Sequence, residues 1–163
     1  MLAADPGVSI ASIAGEAGVD RRTVYRRFAS REELLAAIYE CRLQAIERAI
    51  ADARLREAPV AVALHRYVEN IIGVNRTWPV ELTRMLADDE VRARRDVLSR
   101  NVETFLRRAV DEGLLRAGAP EGWAAALLPQ LMHLVARQMP DLGAAQAADV
   151  VVDTFLHGLG AAT

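Results

Sequence analysis

Apolar side chains recur every three or four residues along most of the chain, a spacing that predicts amphipathic α-helices. Ser30 and Glu33 predict a capping box at the start of one long helix, which the apolar rhythm extends to about Arg56. Proline and glycine interrupt the rhythm between helices, and no convincing strand pattern is present. The chain is therefore expected to be all-α, with about nine helices. The clearest segments lie at residues 9–17, 20–28, 30–56, 90–112, 120–138 and 144–160, with further helices opened by Pro59 and Pro79.

The segment IASIAGEAGVDRRTVYRRFA, residues 10–29, has the pattern of two short helices joined by a turn at Gly18. Ala14 is small where the two helices would cross, and glycine accepts a left-handed backbone conformation at the turn. Val24 and Phe28 are one turn apart and supply an inward face. This spacing is typical of a helix-turn-helix, whose second helix enters the major groove of DNA.

Positive charge is concentrated on the second of these helices. The whole chain of 163 residues has a net charge of −2, yet residues 20–31 carry five arginines against Asp20, a local charge of +4. On a helical wheel, Arg22, Thr23 and Arg26 lie opposite the apolar side chains. Arginine can donate two hydrogen bonds to a guanine edge. A solvated basic face on an ordinary helix is the alternative, and the turn spacing favours DNA binding over it.

The stretch SIASIAGEAGVDRRTVYRRFASREELLAAIYE resembles the DNA-binding domain of the tetracycline-repressor (TetR) family of transcription regulators. Its most specific part is TVYRRFASREELL, and the resemblance covers about residues 8–40. It implies a helix-turn-helix DNA-binding domain at residues 1–45, followed by a helical ligand-binding and dimerisation domain at residues 46–163. It also implies contacts with bases or phosphates from Ser9, Arg21, Arg22, Thr23, Tyr25, Arg26, Arg27 and Arg31.

The family has a complete helix before this motif, whereas here only Met1–Asp5 precede Pro6 and Gly7. We therefore expect the natural chain to start further upstream, with most of the first helix of the DNA-binding domain missing from this sequence. Asp20 is predicted to be the N-cap of the second short helix. It also departs from the family, which often has serine there. Because its carboxylate would repel a nearby phosphate, no DNA contact is assigned to it.

The resemblance implies a small-molecule pocket among the middle helices. Polar or aromatic residues in apolar surroundings are the candidates for contact with the ligand, although each is also a residue type that a protein core can hold. These candidates are His65, Asn75, Trp78, Met85, Phe105 and His133.

The last two predicted helices are apolar over an unusually wide arc. A four-helix interface built from two copies of the chain would cover this surface, and burial within one copy is the alternative. The candidate residues of a homodimer interface are Trp123, Leu127, Leu131, Leu134, Val151, Phe155, Gly158 and Leu159.

Motifs of the common enzyme classes are absent from the sequence, including HExxH, GxSxG, CxxC and glycine-rich phosphate loops. The three histidines lack the spacing of metal ligands. We therefore predict neither an enzyme, nor a metal, nor a cofactor. The single cysteine, the lack of a signal-like start and the lack of a bilayer-length apolar run predict a cytoplasmic protein with no membrane partner.

The expected function is a ligand-responsive transcriptional regulator. Its simplest form is a dimeric repressor that a small molecule releases from a palindromic double-stranded DNA operator. The alternative is a protein of the same fold that binds small molecules or partners but no longer binds DNA.

Overall fold

A computed structural model of the chain describes residues 20–78 and 89–159. Within these two ranges the chain forms six helices and no β-strand, which confirms the all-α prediction. The helices are α1 Arg21–Arg27, α2 Arg31–Ala53, α3 Val60–Thr77, α4 Asp89–Asp111, α5 Trp123–Gln138 and α6 Ala144–Leu159. The expected count of about nine is not matched. The predicted helices at residues 9–17 and after Pro79 lie outside the described residues, and turns rather than further helices connect the others.

Side chains at the predicted caps start the first two helices. The Asp20 carboxylate accepts a hydrogen bond from the backbone N–H of Arg22 at 2.7 Å, and Ser30 Oγ accepts one from the N–H of Glu33 at 3.1 Å. The Glu33 carboxylate accepts from the N–H of Ala29 at 2.6 Å, one residue before the position that a standard capping box would use. These bonds fix the short connection between α1 and α2.

Two helix boundaries differ from the sequence prediction. Helix α2 ends at Ala53 rather than near Arg56, because Arg54 takes a left-handed conformation with φ 52°. Helix α5 begins at Trp123 rather than at Pro120, because Gly122 adopts φ 75° and serves as its N-cap. Helix α4 stops as predicted before Gly113, whose φ is 78°.

Helix α3 lies at the centre of the described fold and packs mainly against α2, α5 and α6. Its Leu64, Val68 and Ile72 are almost fully buried, and they belong to the same core as Leu128 of α5 and Phe155 of α6. Burial of this apolar stripe stabilises the arrangement of the helices. None of the helices in the described ranges combines the length and the apolar character needed to cross a membrane.

Candidate DNA-binding surface and ligand cavity

Helix α1 presents most of its polar side chains to solvent. Arg22, Thr23, Arg26 and Arg27 are exposed. Tyr25 is 45% exposed. Val24 and Phe28 are half-buried, as the wheel of this helix predicts. Arg21 is the first residue of α1, the half-buried Arg31 is the first residue of α2, and Ser9 lies outside the described residues.

The guanidinium groups of Arg22, Arg26 and Arg27 form no ion pair with a carboxylate of residues 20–78 or 89–159. Since these groups are exposed and no carboxylate of the described chain neutralises them, their charge is available to a polyanion such as DNA. Replacing them should also disturb the fold little, because they are exposed and no ion pair of the described chain depends on them.

A cavity of about 620 Å³ lies between α2, α3, α4 and α5. This volume falls in the range of sites for drug-sized ligands, roughly 300–1,000 Å³. Most of its wall is apolar, with Leu43 and Ile46 from α2, Ile71 from α3, Leu98 from α4 and Met132 from α5. The described residues that bring polar or charged side chains to the same wall are Arg42, Tyr67, Asn75, Arg95, Ser99, Glu103, Gln130 and His133.

Arg42 is held in place on this wall by two hydrogen bonds. Its terminal nitrogens donate to the Trp78 carbonyl oxygen and to Asn75 Oδ1 at 3.0 Å. Its Nε is buried and has no hydrogen-bond partner within the described part of the chain. Burial lowers the pKa of the Arg42 guanidinium, and burial raises the pKa of Tyr67 to about 12. Because arginine side chains stay protonated in proteins, and because the pKa of Tyr67 lies far above neutral pH, the cavity holds a cationic Arg42 and a neutral phenol at neutral pH.

The predicted ligand-binding residues do not all meet at this cavity. Asn75 and His133 line it, and Trp78 borders it through the carbonyl that accepts from Arg42. Phe105 is 2% exposed and belongs to the core. His65 lies elsewhere, with its Nε2 2.8 Å from Asp149 Oδ1. Met85 is outside the described residues.

Sequence reasoning missed Arg42 and Arg95, because arginines in amphipathic helices usually lie on the solvent face. A signal was present for Arg42. It falls four residues after Ile38 and four before Ile46, so a charge occupies the apolar stripe of α2.

A second arginine of α4 joins α4 to α2. Arg94 donates to both carboxylate oxygens of Glu40, at 2.8 and 3.0 Å, and to both of Glu47, at 3.0 Å each. The pKa of Glu40 is lowered by hydrogen bonds from Gln44 and Arg94. The two carboxylates in turn raise the pKa of Arg94. This three-residue contact, the Arg94 bridge, ties the helix that follows α1 to a wall of the cavity.

The candidate dimer residues divide between surface and core. Trp123 is 50% exposed and Leu134 is 54% exposed. Leu127 and Leu131 are half-buried and Gly158 is exposed. Val151 and Phe155 are 1% and 0% exposed, so they pack inside the protomer and are not available to a second copy. Leu159 ends α6.

Comparison with known proteins identifies the family. Residues 6–38 match the family described as bacterial regulatory proteins, tetR family. The chain is 30% identical over 165 residues to the HTH-type transcriptional repressor LfrR of Mycolicibacterium smegmatis (strain ATCC 700084 / mc(2)155), which covers 98% of this chain and 84% of that protein. The chain belongs to the TetR family. It is therefore a DNA-binding transcriptional regulator by family, and these relatives are regulators rather than enzymes.

Solved structures agree with this assignment. The TetR-like regulator LfrR from Mycobacterium smegmatis, in complex with proflavine, is similar with a TM-score of 0.73 and 28% identity, over 97% of this chain and 89% of that one. The TetR-family regulator PfmR from Thermus thermophilus shares the fold, with a TM-score of 0.71 and 22% identity, over 97% and 91% of the two chains.

Proposed function

We propose that this TetR-family protein is a homodimeric repressor that a small molecule releases from a palindromic DNA operator. In this proposal α1 is the recognition helix. Arg21, Arg22, Thr23 and Arg26 contact base edges, while Tyr25, Arg27 and Arg31, with Ser9, contact phosphates.

The observation that carries the proposal is the course of α2. Three residues separate this helix from the end of α1, and it supplies Arg42, Leu43, Ile46 and Ile50 to the wall of the cavity. Its 23 residues span roughly 34 Å at ~1.5 Å per residue. One rigid element therefore connects the exposed basic face with the cavity, so a change at one end can be transmitted to the other.

The proposed mechanism is a shift of population. Two recognition helices must lie about one DNA turn apart, ~34 Å, to occupy both half-sites of a palindrome. A ligand that binds only one arrangement of the helices favours that arrangement in proportion to its differential affinity. The Arg94 bridge supports this route, because it couples α4, a wall of the cavity, directly to α2.

The relative LfrR has been crystallised in complex with proflavine. This supports a small-molecule effector for the present chain. The division into a DNA-binding domain at residues 1–45 and a regulatory domain at residues 46–163 belongs to the same proposal, with α2 running continuously through the boundary.

Selection of DNA from a randomised duplex pool tests the proposal. The chain is incubated with the pool at two salt concentrations, the retained duplexes are sequenced, and the mass of the complex is measured by sedimentation. We expect an enriched palindrome, strong salt dependence and two or more chains per duplex. If no sequence is enriched and binding is insensitive to salt, the alternative of a ligand-binding protein without DNA binding is favoured instead.

A further inference from the structure

The described part of the cavity wall carries more positive than negative side chains. Among residues 20–78 and 89–159, Arg42 and Arg95 line the cavity together with one carboxylate, that of Glu103. Glu103 is exposed to solvent, whereas both arginines are half-buried. Water screens an exposed charge more strongly than one that is partly removed from solvent. Of the charges that the described residues place at the cavity, the two guanidinium groups therefore act most strongly on a ligand inside it.

Arg42 has no counter-ion among the described residues. Its hydrogen bonds go to two neutral oxygens, and its Nε is buried without a partner. The neighbouring carboxylates of α2, Glu40 and Glu47, are both bound by Arg94. A partly buried charge without a counter-ion is costly, and an anion in the cavity would offset that cost.

Arg95 is the second cation of the cavity wall without a counter-ion in the described ranges. It is the residue after Arg94, but it points to the cavity and makes no hydrogen bond or ion pair within residues 20–78 and 89–159. Since Arg42 belongs to α2 and Arg95 to α4, the two groups approach the same space from different helices. Guanidinium groups bind carboxylates through paired hydrogen bonds, so this arrangement suits an anionic head group.

We propose that the effector is an apolar molecule with one anionic head group, such as a carboxylate, that Arg42 and Arg95 bind. This inference rests on the proposed function and names the class of ligand. The apolar body packs against Leu43, Ile46 and Met132, while the neutral phenol of Tyr67 and the amide of Asn75 lie within the same cavity.

Three probes with the same ring and different head groups test the charge preference. They are 2-naphthoate, 2-naphthamide and 2-naphthylmethylammonium, which are anionic, neutral and cationic at pH 7. Calorimetric titration of the full chain without DNA gives each affinity. We expect 2-naphthoate to bind about tenfold or more tightly than the amide, and the ammonium to bind most weakly. A preference for the ammonium, equal affinities, or no binding of any probe would overturn the proposal.

A variant series assigns the preference to the two arginines. Arg42→Gln should weaken the binding of 2-naphthoate by about ten- to a hundredfold. Its affinity for 2-naphthamide should stay within about threefold of that of the unsubstituted chain. Arg48→Gln, an exposed arginine of α2 outside the cavity, is the matched control and should change neither affinity. Arg95→Gln provides the same readout if Arg42→Gln fails to fold, which circular dichroism reports. Equal loss of both probes would assign the arginines a structural role and overturn the proposal.

The titrations contain no DNA, so their outcome is independent of operator binding. If 2-naphthoate binds most tightly but no duplex is enriched from the pool, only the proposed repressor function is contradicted. Enrichment of a palindrome without a preference for anions would contradict the ligand class alone.

Discussion

Replacing Leu134 by alanine tests the proposed homodimer at an apolar side chain that is largely exposed in a single copy of the chain. Leu134 is 54% exposed on α5, and Trp123 of the same helix is 50% exposed. The two residues are eleven positions apart, which brings them to the same face of an α-helix. A second copy that packs on this face would remove both side chains from water.

The size of the effect follows from the exposed fraction. Complete burial of a leucine side chain contributes about 1.5–3 kcal/mol. Roughly half of this remains to be gained at Leu134, about 1 kcal/mol in each copy. In a two-fold symmetric dimer each copy places its own Leu134 in the interface, so the substitution removes this contribution twice. Leu134→Ala should therefore weaken association by about 2 kcal/mol, or about thirtyfold in the dimer Kd.

Sedimentation velocity over a dilution series measures this Kd. Val97→Ala is the matched control, because Val97 is 48% exposed on α4 and lies outside the proposed interface. It should leave association unchanged. If Leu134→Ala dissociates at the same concentration as the unsubstituted chain, or if Val97→Ala dissociates as readily, the α5 face is not the dimer interface.

Three further substitutions have defined outcomes. Ser30→Ala removes the hydroxyl that caps α2 and should lower the free energy of unfolding by about 1 kcal/mol in urea titrations; an unchanged midpoint would contradict the capping role. Burial raises the pKa of Tyr67 to about 12, above the value of about 10 in an unfolded chain. The stability contribution of its neutral phenol is thus complete below pH 10 and is lost as the pH rises through 12. Tyr67→Phe should reduce the change of the free energy of unfolding with pH between about pH 10 and 12. An unaltered pH dependence would refute the raised pKa of Tyr67. Arg94→Gln removes both ion pairs of the Arg94 bridge. It should raise the ligand concentration needed to release DNA while ligand affinity in the absence of DNA changes less; equal changes in both would argue against coupling through α4 and α2.

Much of the fold was predictable because local rules decide it. Asp20 and Ser30 cap their helices as the sequence indicates, and Gly113 ends α4. The predicted C-terminus of α2 and the predicted N-terminus of α5 were wrong by a few residues. Arg54 and Gly122 adopt left-handed backbone conformations there, at positions that no pattern of apolar residues marks. An arginine in this conformation is uncommon, so residue type gives no warning.

The exposed face of α1 was also predictable, since a wheel separates Arg22 and Arg26 from Val24 and Phe28. The cavity was not. Its wall combines residues of four helices that are distant in the sequence, and periodicity does not specify how helices cross. Likewise, Val151 and Phe155 were assigned to a dimer surface because periodicity shows that a face is apolar without showing which neighbour covers it.

The most direct test of the account is the affinity of arginine variants for the duplex enriched from the random pool, measured by fluorescence anisotropy at fixed salt. Arg22→Ala and Arg26→Ala should each weaken binding by about 1–3 kcal/mol. Arg116→Ala, an exposed arginine between α4 and α5, is the matched control and should leave the affinity unchanged. Thermal unfolding of all three variants should stay close to that of the unsubstituted chain, since these side chains are exposed. If the chain with both Arg22 and Arg26 replaced binds the duplex as tightly as before, α1 is not the recognition helix and the central claim fails.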